Sequence, residues 1–519
     1  MRRPQSQEEL FFPFSFHSEM RVGSVTGAVL NLISTVLGGG VLSLPFALQR
    51  AGLIPGLALL VLTALASDFS VYILVSCSRR SGAQSFEEVA EKAFGPRAKR
   101  WGMALIICVT YLPLIAYIIL MRDLVAPVVE LYVLGGATMS RGARNLLAAA
   151  LVAAVFPVCL VERLHGLRAA CLVSIASITM LAVAIITRAA QCVGAAPRGA
   201  LRGAVNLWPR DGASGALQSV PIWICAFVCH FNVLPVHGAL ARPTRRRLHR
   251  TVHFTMGLVA AFYAAIGVAG YLYAACVGAL GASDNILAAF DPADGLVNAG
   301  RLGLVVTIML SFPLLVVPCR DALLRVHADC RYGAPRPSRR RRRLRSRHSE
   351  TAASSDDSSS DGGGGDGDGD GGAASDHDAF ANLEVSLLTP TSDGGRETVK
   401  SSGGSPRSSG GGGSGAGGED AIATSLCLRA ALTAPLLGSA LALASLITRV
   451  TDVWGVLGSS VNVVVAFCVP AAAYLAIRRR AHHNARSRAR RAGAAALLVV
   501  SACLAVACTA NNVYIIASR

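Results

Sequence analysis

The chain has 519 residues, of which 53% are hydrophobic and only 15% charged, with a formal net charge of +18. Water-soluble proteins carry about 25% charged residues, so a mean hydropathy of +0.50 excludes a chain built around one soluble core and points to lipid as solvent. The basic excess does not indicate nucleic acid as a partner, because no stacking aromatics interleave the arginines.

Residues 1–21, "MRRPQSQEELFFPFSFHSEMR", lack an apolar core followed by a small-residue cleavage site. They are expected to be a retained tail rather than a signal peptide. Apolar runs near the 20 residues needed to cross a bilayer then follow at 22–48, 52–77, 102–121, 145–161, 167–187, 214–237, 254–277, 298–318, 425–447, 454–477 and 493–516. This predicts an all-α integral membrane protein with 11 transmembrane helices. Eight lie in 22–330 and three in 425–519.

The first run reads "NLISTVLGGGVLSLPFAL" over 31–48. Three glycines and a proline are poor residues for a helix interior. The sixth, "PIWICAFVCHFNVLPVHGAL" over 221–240, has Pro221, Pro235 and the polar pair His230 and Asn232. Two interrupted spans five apart are the sequence pattern of a 5+5 inverted repeat, with the eleventh helix an addition. Unwound backbone inside a membrane is tolerated where it lines a cavity or is buried in protein. Close packing through small residues is the plainer explanation of the glycines taken alone.

Between the second and third runs, "SGAQSFEEVAEKAFGPRAKR" (81–100) places Phe86, Val89, Ala90 and Phe94 at helical spacing. A short amphipathic helix at the membrane surface is expected there. Asp68 in "LASDFSVYIL" is the clearest ionisable residue within a span, followed by His230. Such residues are functional candidates, and either could carry a coupling proton. The plainer alternatives are a hydrogen-bonded helix contact for Asp68 and a packing role for His230. Cys192 and Cys276 are both expected at the non-cytoplasmic side, which makes them candidates for a disulfide.

With a cytoplasmic N-terminus, the connections 79–100, 162–166, 238–253, 319–424 and 478–492 face the cytoplasm, and all but the very short 162–166 fit the positive-inside rule. The stretch 331–424 is Arg-rich and then Ser-, Asp- and Gly-rich, a composition expected to form a disordered cytoplasmic linker. Arg339–Arg343 either contact anionic lipid head groups or simply anchor the topology.

Several of these stretches together resemble the amino acid/auxin permease family. They are Asn31-Leu32, Gly38-x-Gly40 and Leu44-Pro45, "FVCHFNVLPVHGAL" (227–240), "LSFPLLVVPCRDALL" (310–324) and "SFEEVAEKAFG" (85–95). The sixth-span stretch is similar to the sodium-coupled neutral amino acid transporters and to the plant and fungal vacuolar transporters. The resemblance implies the amino-acid-polyamine-cation transporter fold and amino acid symport by alternating access, without an enzymatic activity or an organic cofactor. It places the substrate at Ser34, Thr35, Gly38, Gly39 and Gly40 and at Cys229, His230, Phe231 and Asn232. It implies a sodium site at Ser34 and Ser311. Ser34 stands where the sodium-coupled branch has asparagine and the vacuolar relatives a hydroxyl, so the coupling ion is read as H+ or Na+, with a lean to protons. The membrane is read as vacuolar, endomembrane or plasma membrane. An amino acid sensor signalling through the linker is the alternative function.

Overall fold

A computed structural model describes residues 25–160, 167–197, 201, 203–239, 245–281, 284–332, 416–478 and 485–518. Two units are distinguished. Met1–Ala322 with Thr389–Arg519 holds every element below except the last turns of one helix; Leu323–Leu388 holds those turns. Arg339–Arg343, the tail 1–21 and the linker residues 333–415 lie outside the described residues.

The helices are α1 (Val25–Val36), α2 (Leu44–Ala51), α3 (Leu53–Ser81), α4 (Phe86–Phe94), α5 (Pro96–Tyr132), α6 (Arg141–Cys159), α7 (Leu167–Ala195) and α8 (Gly212–Ala226). They continue as α9 (His230–Ala239), α10 (Arg245–Cys276), α11 (Gly295–Tyr332), α12 (Ala416–Leu446), α13 (Val450–Leu457), α14 (Val469–Ile477) and α15 (Ala485–Ala517). Among the described residues, ten stretches are long and apolar enough to cross a membrane, and α1 with α2 make an eleventh, bent by 51° at its break. The architecture is therefore all-α and multi-pass, and its first span is broken. The sixth span is also interrupted, because α8 stops at Ala226 and α9 starts at His230.

Most helices outrun their apolar cores. α5 covers Pro96–Tyr132 where the hydropathy reading gives 102–121. Hydropathy registers only the hydrocarbon layer of about 30 Å, whereas a helix can continue through the head-group region. At the linker, α11 runs to Tyr332 and α12 begins at Ala416, so both reach into the stretch 331–424.

α4 forms where the amphipathic pattern lies. Ser85 Oγ accepts from the Glu88 N–H at 3.4 Å, and Glu88 Oε2 accepts from the Gln84 N–H at 2.8 Å. This reciprocal arrangement pairs donors that a helix start leaves open. Phe86, Val89 and Ala90 are buried, but Phe94 is exposed, so the apolar face is shorter than its spacing suggested.

The tenth span departs from the sequence reading. Between α13 and α14 the chain makes two widened turns, Gly458–Asn462 and Val464–Cys468. Widened turns loosen the regular bonding ladder and are frequent at functional sites. Here the Ser70 hydroxyl of α3 donates to the Ala466 carbonyl.

The ends at which α7 and α10 finish are tied together. Cys192 and Cys276 form a disulfide. The Arg188 guanidinium donates to both carboxylate oxygens of Asp294, at 2.6 and 2.9 Å. These bonds hold the Asp294 carboxyl below the usual carboxylate range. Asp284 Oδ2 accepts from both the N–H and the hydroxyl of Thr451 at the start of α13.

Gly458 marks where the widened span meets α8. A Cβ placed there would lie 2.1 Å from the Pro221 carbonyl oxygen, which is backbone and cannot rotate away. Gly458→Ala should therefore lower stability by about 1–3 kcal/mol, read as a lower thermal midpoint of the purified protein. An unchanged midpoint would show that this close approach is not required.

Candidate functional site

The two interruptions face each other through three polar side chains. Asn31 and Thr35 lie one turn apart on α1, and the Thr35 hydroxyl donates to the Asn31 carbonyl at 2.8 Å. From the first turn of α9, the Asn232 amide donates to Asn31 Oδ1 at 2.8 Å and to Thr35 Oγ1 at 2.7 Å. Each hydrogen of the amide group is thus used once, and the two broken spans are clamped together.

Tyr263 of α10 makes the second link. Its hydroxyl lies 2.7 Å from the Val36 carbonyl and 3.1 Å from the Ala226 carbonyl. These are the last residues of α1 and α8; the Val36 carbonyl also accepts from the Gly38 N–H at 2.9 Å, and the single hydroxyl hydrogen is shared between the two carbonyls. One buried hydroxyl therefore serves both breaks. Phe227 packs edge-on against the same ring at 5.4 Å between centroids.

Aromatic side chains from other helices close over the first break. A Cβ at Gly38 would lie 2.8 Å from Tyr117 Oη, so the tyrosine rests on backbone that only glycine leaves uncovered. Tyr117 in turn meets Phe312 of α11 at 6.1 Å and Trp454 of α13 at 6.5 Å. A Cβ at Gly40 would meet nothing within 4 Å. Gly38 and Gly40 thus have different surroundings: one receives a neighbouring ring, the other faces open space. Gly39 begins the 3₁₀ turn Gly39–Ser43.

In the sixth span, Cys229 and His230 are fully buried and Phe231 is half-buried. The His230 ring packs edge-on to Phe467 at 6.3 Å. Neither of its nitrogens has a hydrogen-bond partner among the described residues. Asn462, in the widened turn of the tenth span, donates to Cys225 Sγ at 3.1 Å.

The structure brings Thr35, Gly38, Gly40 and Asn232 to the paired breaks. Each of the two residues expected to share a cation has a hydrogen-bond partner of its own. The Ser311 hydroxyl donates to the Thr307 carbonyl of its own helix at 2.8 Å, while Ser34 is hydrogen-bonded to Cys171 of α7. Asp68 lies against His253 of α10 at 2.6 Å. Among the described residues no group of three or more His, Cys, Asp or Glu is arranged to hold a metal ion. The sequence reading missed Asn31 as a site residue, as well as Tyr117, Tyr263 and Trp454. Asn31 carried a signal, since it begins the first-span motif; a tyrosine in an apolar run carries none.

The family model described as transmembrane amino acid transporter protein matches residues 21–514. The chain belongs to this family. A putative amino acid transporter of Toxoplasma gondii, AAT1, is 29% identical over 320 residues, which are 61% of this chain and 42% of that protein. The Arabidopsis thaliana amino acid transporter AVT6E is 26% identical over 58% of this chain and 62% of its own length. The Danio rerio putative sodium-coupled neutral amino acid transporter 11 is 26% identical over 58% of this chain and 65% of that one. The matched region therefore spans less than two thirds of these relatives. Among solved structures, MhsT in complex with L-phenylalanine aligns over 94% of this chain at 11% identity and a TM-score of 0.45.

The clamp and the shared hydroxyl make one test available. Tyr263→Phe keeps the ring and removes only the oxygen, leaving the Val36 and Ala226 carbonyls without it. Stability should fall by about 1 kcal/mol, the scale of hydrogen bonds between membrane helices. A thermal midpoint equal to that of the wild type would show that the hydroxyl does not hold the breaks.

Proposed function

We propose that the protein is a secondary active transporter that moves neutral amino acids by alternating access. The observation that carries the proposal is the meeting of two interrupted helices, held by Asn232 and Tyr263, with uncovered backbone at Gly40. Backbone at such a break offers N–H donors at a helix start and C=O acceptors at a helix end. An amino acid carries a carboxylate for the first and an ammonium for the second. Ser34, Thr35 and the Gly38–Gly40 segment would receive it from one side, and the Cys229–Asn232 segment from the other. Family membership and the names of the relatives, all of them amino acid transporters, support the substrate class.

Protons are the proposed coupling ion. Ser34 stands where the sodium-coupled branch has asparagine and the vacuolar relatives a hydroxyl residue, and that departure favours protons. The cytoplasmic placement of the N-terminus follows from the arginine distribution. The vacuolar reading of the membrane draws on one further relative, the Schizosaccharomyces pombe vacuolar amino acid transporter 5, at 27% identity over 57% of this chain.

Uptake of radiolabelled neutral amino acids into proteoliposomes tests this directly. A pH gradient should drive accumulation at fixed sodium, and Ser311→Ala should leave the ion dependence unaltered. Accumulation that follows a sodium gradient at fixed pH, and weakens at low sodium in Ser311→Ala, would assign the coupling to sodium instead. No flux under either gradient, in protein that is folded and inserted, would contradict transport.

A further inference from the structure

Asp68 lies midway along α3, fifteen residues from its start and thirteen from its end. At about 1.5 Å per residue it is roughly 20 Å from either helix end. It is buried, with 9% of its surface exposed, and a buried carboxylate within a span needs a partner. Its Oδ2 lies 2.6 Å from Nδ1 of His253. The His253 Nε2 lies 3.0 Å from Nε2 of His249, one turn nearer the start of α10. Both histidines are exposed. Tyr72, one turn beyond Asp68 on α3, meets the His249 ring edge-on at 5.4 Å.

A single histidine beside Asp68 would be enough to neutralise a buried charge. The second one stands further off, in line with the first. Two Nε2 atoms at 3.0 Å require one N–H and one lone pair between them, so the three groups form a continuous hydrogen-bonded line. The line begins at an exposed ring near the arginines that open α10 and ends at a buried carboxylate.

We propose that His249, His253 and Asp68 form a proton relay joining the membrane face at which α10 begins to a buried carboxylate of α3. As the route of the coupling proton it rests on the transport function proposed above. A proton from water adds to Nδ1 of His249. The Nε2–H bond of His249 then breaks as an N–H bond forms at Nε2 of His253. The Nδ1–H bond of His253 breaks as an O–H bond forms at Oδ2 of Asp68. Both imidazoles end neutral with their tautomers exchanged, and the carboxyl has gained the proton. Release toward the same face runs through the same bonds in reverse.

The surroundings of the line bring other charges to it. On α10 itself Arg250 follows His249, and from α15 the Arg490 guanidinium lies 5.4 Å over the Tyr72 ring. From α7, Cys171 at this end is hydrogen-bonded to Ser34, and Arg188 at the far end is paired with Asp294. α1 carries no titratable side chain, and the Arg50 of α2 is paired with Asp211 at the opposite end. Packed on α3, α9 brings His230 and His237, α8 brings Cys225, and α14 brings Tyr474 and Arg478. The glutamates and Lys92 of α4 lie beyond the end of α3.

The test uses the full-length protein with His249→Gln, His253→Gln and Asp68→Asn, and two readouts. In proteoliposomes, flux of radiolabelled L-alanine, L-glutamine and L-leucine driven by a pH gradient should fall by about tenfold or more in each variant, the scale of coupling between two sites. Exchange of one amino acid for another across the same membrane carries no net proton and should persist. His249 is exposed, so its variant separates loss of the relay from loss of folding. Independently of transport, infrared difference spectra of purified wild type on acidification should show a protonated-carboxyl band that Asp68→Asn removes. Its appearance after a rapid pH jump should be slowed in His253→Gln and His249→Gln. Gradient-driven flux kept in folded variants, or a wild-type spectrum without that band, overturns the relay. A wild type that shows the band and no amino acid flux overturns the transport reading and leaves the relay as a proton-binding line.

Discussion

Inside a membrane every backbone N–H and C=O must find a partner in the protein, and this constraint organises the whole structure. Unbroken helices meet it internally. The first and sixth spans do not, because each is interrupted within its apolar run, and other side chains must serve the groups they release. Tyr263 reaches the last carbonyls of both α1 and α8, and Asn232 ties the start of α9 to the face of α1. The glycines permit the interruption, and the neighbours keep it stable. The tenth span shows the same economy on a smaller scale, with Ser70 bonded to the Ala466 carbonyl in a widened turn.

α10 connects these features. Its disulfide at Cys276 fixes one end to α7, its middle touches both breaks through Tyr263, and its opening turns carry His249 and His253. Tyr263 and His253 are ten residues apart on one helix, about 15 Å at the usual rise. A protonation event at Asp68 and a rearrangement at the breaks would therefore be registered by the same rigid element. That arrangement gives a physical route for coupling an ion to a substrate, since each would bias the position of a helix that the other also contacts.

The breaks were legible in the sequence because glycines and proline inside an apolar run have few explanations. The number of spans was legible because hydropathy records hydrocarbon thickness directly. Helix ends were less so: α5 and α11 continue well past their apolar cores, where lipid head groups and water no longer select for apolar residues. Asp68 stood out by its charge, but its partners did not. His249 and His253 lie in "RRRLHRTVH", and there they read as part of a basic flank. Tyr117, Tyr263 and Trp454 are large residues in apolar helices, and only the fold shows the two tyrosine hydroxyls turned to the breaks. Pairing α3 with α10, and α10 with both interruptions, is long-range information that no local pattern carries.

The most direct measurement is a cryo-electron-microscopy map of the full-length protein saturated with a transported amino acid. Density for the ligand should touch the backbone of Gly38–Gly40 on one side and the Cys229–Asn232 segment on the other, beneath the Tyr117 ring. Ligand density elsewhere, for example in the hollow lined by Pro45, Gln49, Tyr271 and Asn285, with the two breaks closed against each other, would contradict the account.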